Sequence, residues 1–388
     1  MRVSLIAVSR STLIFLSLLL LSALFGSPIR RVEAGHQSVG ARLAICSAHV
    51  QVREARQPVE IQATSTVSPT IITTIAMGAA PHGIAVSPDG SRLYVADFTD
   101  RSLSIIDAVS LQIVKSVGVG RGAVNVLLTA DGSRAFVTNE FEDSLSVIDT
   151  QTEMVIKTIA MPDRPHGMEL AADPVSGEAE RRLYVANLGS NSVSVIDTQS
   201  LAAISQIPVG DTPDSPLAAP DGKTIWVTNY NGQSLSVVDT AAFTETAKWQ
   251  VGVQPHGFKR SADGSRIYLT LQGEDKFLVL DGETGEVLDE TAVNAAPHGL
   301  GLSPDGRFAW TGDLGGRSST IVETATGNVV AQIDFGGVTN PHAIAFSPDG
   351  KRAYISDFVG RRLIVVGTGV REQIFLPIIT AEEEGTGQ

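Results

Sequence analysis

The sequence predicts an all-β fold, a seven-bladed β-propeller of four-stranded antiparallel blades closed by an N-terminal outer strand. Three observations carry this reading. The dipeptide Asp-Gly recurs at Asp89, Asp131, Asp221, Asp263, Asp305 and Asp349, with spacings of 42, 90, 42, 42 and 44 residues. Between these turns the apolar residues fall into four short runs per repeat, without helical periodicity. Ahead of the first full repeat, Thr74-Ile75-Ala76-Met77 matches Thr158-Ile159-Ala160-Met161 letter for letter.

A repeat of this length with four strands is a blade, a sheet that buries its faces only against neighbouring copies. The 90-residue gap holds one blade whose turn is altered near Asp173-Pro174, with a small insertion over Pro174 to Glu180, so seven repeats fit. Within the first repeat, Ile84-Ala85-Val86 runs into the turn Ser87-Pro88-Asp89-Gly90, where Pro sets φ and Gly takes a positive φ. Leu93 to Asp97, Leu103 to Asp107 and Ile113 to Val117 supply the second, third and fourth strands. The copy of a fourth strand at Ile71 to Met77 is expected to complete the last blade and remove the exposed edges. Gln373 to Leu376 is the competing segment for that slot.

Outside the repeats, Arg2 and Arg10 with the apolar run Leu13 to Phe25 read as a secretory signal, too short to span a bilayer comfortably. The expected organisation is a signal peptide over 1–34, a linker over 35–68, the propeller over 69–370 and a C-terminal tail over 371–388 with Glu382-Glu383-Glu384. Cuts after Gly26 and after Ala34 both fit. A secreted, periplasmic or cell-surface location follows, and a membrane is reached only if the N-terminal segment stays uncleaved. Gly 37 and Pro 18 with 5% aromatics suit many turns and short strands. The net charge of −13, without a basic run in the repeats, argues against nucleic-acid binding. Cys46 is the single cysteine, so neither an internal disulfide nor a cysteine metal cage can form in this sequence. A monomer is expected.

The second strands carry a resemblance. Tyr94-Val95-Ala96-Asp97, Phe136-Val137-Thr138-Asn139, Tyr184-Val185-Ala186-Asn187, Trp226-Val227-Thr228-Asn229 and Tyr354-Ile355-Ser356-Asp357 resemble the Tyr-Val-Thr-Asn signature of YVTN-type propeller repeats. Tyr268-Leu269-Thr270-Leu271 and Trp310-Thr311-Gly312-Asp313 are weaker versions. The resemblance implies the propeller fold. It leaves function open, because that family spans surface-layer proteins, periplasmic binding proteins and parts of redox enzymes. The aromatic residue opening each second strand is expected to pack between blades.

Five of the seven histidines share one repeat position: His82, His166, His256, His298 and His342. Each follows Pro, four lie in Pro-His-Gly, and Val124 and Asp214 stand in the remaining two repeats. The position opens the innermost strand, so the imidazoles should ring one mouth of the central channel. Asp97, Asn187, Asp313 and Asp357, ending the second strands, should lie near the same face and share the ligand site. Two readings of the histidines compete. In one, His82, His256, His298 and His342 converge on copper or another transition metal, oriented by neighbouring carboxylates or amides. In the other, each imidazole is a blade-closing donor to a neighbouring carbonyl, and Gly lets backbones approach. The Pro-His-Gly placement is similar to that of nitrous oxide reductase and of streptogramin lyase. The sequence carries neither the reductase's cysteine-rich copper domain nor a lyase's full residue set.

The function expected from these residues is a binding or scaffold propeller that holds a small-molecule ligand, a metal or a partner protein at the histidine-lined mouth. The alternatives are a copper-dependent oxidoreductase or histidine-assisted lyase or lactonase, and a cell-surface structural protein. No Gly-x-Ser-x-Gly elbow and no His-Glu-x-x-His occur in the chain.

Overall fold

The computed structural model describes residues 67–369. Among them every regular element is a strand, and the strands form seven four-stranded antiparallel sheets. Six sheets are consecutive: β2 (Pro81–Val86) to β5 (Ile113–Gly118), β6 (Ala123–Leu128) to β9 (Met154–Ala160), β10 (Pro165–Ala171) to β13 (Ala202–Pro208), β14 (Pro213–Ala218) to β17 (Thr244–Gln250), β18 (Pro255–Arg260) to β21 (Val287–Ala292), and β22 (Pro297–Leu302) to β25 (Val329–Asp334). The seventh has the order β1-β28-β27-β26, where β1 (Thr70–Ala76) pairs with β28 (Arg362–Gly367) beyond β27 (Arg352–Asp357) and β26 (Pro341–Phe346). The N-terminal strand thus completes the last blade, and the competing segment at Gln373 to Leu376 lies outside the described residues, as do the expected signal, most of the linker and the tail.

The turns form as their chemistry requires. Asp89 accepts from the Ser87 hydroxyl and the Ser91 amide, and Gly90 takes φ +72°. The altered third repeat keeps the logic: Asp173 accepts from the amides of Val175 and Ser176 in the longer loop between β10 and β11 (Arg182–Asn187).

The core lies between blades. Buried apolar side chains form seven clusters, each drawing on two adjacent blades. The aromatic residue opening each second strand goes to a different cluster: Tyr94, Phe136, Tyr184, Trp226, Tyr268, Trp310 and Tyr354. A blade therefore has little stability alone, and each inner strand is pressed against the next.

That pressure shows at the Pro-His-Gly positions. A Cβ on Gly299 would stand 1.7 Å from the His342 carbonyl oxygen of the next blade. Every inner strand also carries a register shift here: Pro81 pairs with Asp97 and Ile84 with Val95, so His82 and Gly83 together oppose Ala96. This bulge turns the histidine out of the ladder toward the axis. The fifth residue of the second strand faces the bulge, and where it bears a hydroxyl it stitches blades together. Thr270 Oγ1 accepts from Gly257 N (2.7 Å) and donates to the His298 carbonyl of the next blade (3.0 Å). Ser356 and Thr138 likewise donate to the carbonyls of His82 and His166.

Replacing Thr270 by the isosteric Val removes both bonds and strands the buried Gly257 amide, while the His298 carbonyl keeps only His256 Nδ1. A loss of about 1–3 kcal/mol in chemical denaturation is expected, and an unchanged midpoint would show the stitch to be dispensable.

Candidate functional site

The seven bulges put one side chain from each blade at the same end of the channel. His82, His166, His256, His298 and His342, with residues below them, line a cavity of about 150 Å³. The rings touch around the circle. Centroids lie 3.5 Å apart for His256 and His298, 4.7 Å for His298 and His342, 4.7 Å for His342 and His82, 5.8 Å for His82 and His166, and 6.4 Å for His166 and His256. The sequence thus identified residues that the fold brings together.

Asp214, standing where the fourth blade lacks histidine, belongs to the same ring. Its side chain is 6% exposed and lies between His166 (Nδ1 to Oδ2 3.2 Å) and His256 (Nε2 to Oδ1 3.5 Å), while the Ser215 hydroxyl donates to it at 2.8 Å. Sequence reasoning noted the substitution without making it a site residue. The available signal was a carboxylate at a position otherwise filled by imidazoles.

The ring nitrogens have unequal fates. His256 Nδ1 meets the His298 carbonyl oxygen of the next blade at 3.1 Å, and His342 Nδ1 meets the Asn340 carbonyl of its own chain segment at 3.1 Å. His82 bonds the Val124 carbonyl. His298 Nδ1 is buried with no hydrogen-bond partner, and His166 Nδ1 approaches Asp214 without hydrogen-bond alignment. The blade-closing role expected of all five is met by His82 and His256 only.

Burial sets the charge of the cluster. Desolvation, and then the neighbouring imidazoles, hold His82 and His298 well below the usual histidine value. Burial also lowers His256 against the opposing pull of Asp214, and brings His342 down to about 4. For Asp214 burial acts upward, but His256, His166 and the Ser215 hydroxyl outweigh it and the carboxyl titrates below its ordinary value. At neutral pH His82, His256, His298 and His342 are uncharged imidazoles beside one carboxylate.

Among the described residues no three His, Cys, Asp or Glu side chains are placed to hold a metal ion. The rings of the expected four-histidine metal arc, His82, His256, His298 and His342, meet edge-on or tilted, with planes 36° apart for His256 and His298, 55° for His298 and His342 and 59° for His342 and His82, and no chemistry is routed through a metal.

Asp97, Asn187, Asp313 and Asp357 are fully buried within their own blades and do not line the cavity. Each turns to the third strand. Asn187 Nδ2 donates to the hydroxyls of Ser192 and Ser194, as Asn229 does to Ser234 and Ser236. Asp97 accepts from Ser102 and Ser104, and Asp313 from Thr311, Ser318 and Thr320. In the seventh blade Asp357 pairs with Arg362 at 2.8 Å. The fifth blade replaces the polar set with Leu271 opposite Lys276. The partners lie five and seven residues downstream in the repeat, a spacing that could have assigned these side chains to their own blades.

A collar surrounds the mouth. The residue after each second strand contributes Phe98, Glu140, Leu188, Tyr230, Gln272, Leu314 and Phe358. Phe98 and Phe358 pack together with centroids 5.4 Å apart, and Phe358 lies 4.9 Å from His342. Opposite them Tyr230 lies 6.2 Å from His256, its hydroxyl donating to Gln272 Oε1 at 2.7 Å. Glu140 is paired with Arg164.

Fold and site together define a class: a seven-bladed propeller whose axial cavity is rimmed by imidazoles and one carboxylate. A family model described as YNCE-like beta-propeller matches residues 50–174 and 171–266, together more than half of the 388-residue chain. The chain belongs to the YNCE-like beta-propeller family, a relative of the YVTN-type repeats that its second strands resemble. Among solved structures it is similar to a chain of Kuenenia stuttgartiensis hydrazine synthase, at 23% identity and TM-score 0.66 over 78% of this chain and 99% of that one. It is also similar to the Cps50 (Swd1) beta-propeller domain of Myceliophteria thermophila, at 10% identity and TM-score 0.68 over 77% and 99%. At these identities the likeness is one of fold. A sequence search of curated proteins gives no match.

The buried groups make stability depend on pH in opposing directions. Histidines depressed in the fold contribute stability that is present above the unfolded value of about 6.5 and is lost as pH falls toward their folded values. Asp97 and Asp313 are pushed up by burial to about 6, so what they contribute is present below the unfolded carboxylate value and is lost as pH rises through about 6. Asp97→Asn with Asp313→Asn, copying Asn187 and Asn229, is expected to stabilise the propeller at pH 7 by about 1–3 kcal/mol per site. The gain should vanish near pH 4 in denaturation measurements. A destabilised double variant at pH 7 would contradict the burial argument.

Proposed function

We propose that the chain is an extracytoplasmic binding propeller that holds a small molecule at the histidine-lined mouth. One observation carries the reading: His298 Nδ1 is buried in the wall of the cavity with no hydrogen-bond partner. A buried ring nitrogen left unpaired costs stability of about 1–3 kcal/mol, and a fold that needed it only for packing could carry Leu or Phe there at no such cost. His166, His298 and His342 are also not blade locks, since the stitching at their positions makes no use of their rings and other blades are joined through Thr138, Thr270 and Ser356. The cavity, of about 150 Å³, suits a compact ligand or part of a larger one. The apolar run Leu13 to Phe25 behind Arg2 and Arg10 supports export.

The test is a thermal-shift screen of small polar and amphipathic compounds against the full chain and a His166→Leu/His298→Leu variant. Compounds that stabilise the native protein should bind the variant at least about tenfold more weakly, a change of about 1.4 kcal/mol. A folded variant that keeps full affinity for every hit would remove the mouth as the site.

A further inference from the structure

We infer that the mouth is an ammonium site: it takes a small organic amine, with Asp214 as the anionic anchor and the aromatic collar receiving the apolar flank. This rests on the reading of the mouth as a ligand site and names the ligand's chemistry.

Of the seven side chains at the bulge position, five are imidazoles, Val124 is apolar, and Asp214 is the one carboxylate. The atoms without donors are acceptors or can be. Asp214 receives only the Ser215 hydroxyl as a well-aligned bond, and an imidazole protonated at Nε2 presents Nδ1 as an acceptor, which fits the unpaired His298 Nδ1. A carboxylate buried to this degree holds its charge only with partners, and of its neighbours His256 stays neutral because burial lowers it. A ligand that brings N–H donors and a positive charge satisfies both deficits. An anionic ligand would meet Asp214 with like charge and find no cation at the mouth. The cation that does line the cavity, Lys259, lies three positions further along β18 than His256, and its field acts on Glu169. Arg164 at the rim is engaged by Glu140.

The collar sets the ligand's other end. Blade four, carrying Asp214, stands across the seven-fold ring from blades seven and one, whose Phe358 and Phe98 pack against the imidazoles of His342 and His82. Aromatic faces attract cations and cover apolar groups alike, so this side favours a compact hydrocarbon flank next to an ammonium. The net charge of −13 adds a weak attraction for cations from solution.

The experiment uses three probes of one size, benzylamine, benzyl alcohol and benzoate, titrated calorimetrically at pH 7 into the full chain and into Asp214→Asn. Benzylamine should bind the native protein at least about tenfold more tightly than benzyl alcohol, with benzoate weakest, and Asp214→Asn should erase the preference for the amine. If benzyl alcohol or benzoate binds as well as benzylamine, or Asp214→Asn leaves benzylamine unaffected, the ammonium assignment is overturned while the mouth stands as a ligand site. If none of the three binds, the assignment and the reading beneath it both fall. The comparison of probes on the native protein decides the question even if the variant does not fold.

Discussion

Ring closure is the constraint on which everything else depends. No blade has a hydrophobic core of its own: each of the seven apolar clusters belongs to a pair of blades. The set is complete only when β1 pairs with β28 and joins the two ends of the repeat array. Closure around an axis then forces equivalent positions of different repeats to face one another. Two consequences follow from one geometry. The inner strands approach so closely that Gly299 tolerates no side chain, and a residue placed by the bulge beside each such glycine must point at its counterparts.

The polar groups near the mouth divide into those the fold consumes and those it leaves over. The strand-ending Asn and Asp residues are partly consumed: hydroxyls five and seven residues downstream meet them within the same sheet, while Oδ1 of Asp97, Asn187 and Asn229 stays without a partner inside the blade. The hydroxyls of Thr138, Thr270 and Ser356 are consumed in joining blades. On the axis His298 Nδ1 has no partner and His166 Nδ1 meets Asp214 in poor alignment, while other unpartnered buried atoms, such as Tyr184 Oη and Trp226 Nε1, are not on residues that line the cavity. The axial nitrogens differ from these in belonging to residues that line a cavity, and that is the physical basis for treating the cavity as a site.

Much of this was legible from the repeat. Pro-His-Gly spacing put His82, His166, His256, His298 and His342 at one strand position, and the closing strand was visible in the copied Thr-Ile-Ala-Met. Shared position fixes where rings gather and says nothing of how they turn: neighbouring ring planes here meet at angles from 36° to 90°, which the motif does not reveal. Asp97, Asn187, Asp313 and Asp357 do end near the mouth in the backbone register, since Pro81 pairs with Asp97. Their side chains turn inward to the sheet, a choice made by Ser and Thr partners that a single motif does not reveal. Phe98 and Phe358 escaped notice because the loop after the second strand has no periodicity, and only the fold shows that it curls over the axis.

His82, His256, His298 and His342 form one buried, uncharged cluster, and this is what the mouth's character rests on. Histidine-selective nitrogen NMR of the full chain, followed from about pH 8 to about pH 6, tests it most directly, since an ordinary histidine titrates near 6.5. The account predicts that His82, His298 and His342 remain neutral throughout, with His298 Nδ1 unprotonated. Titration of any of the three with a midpoint near the ordinary value would contradict it, and would mean that the mouth is open to water and its histidines independent.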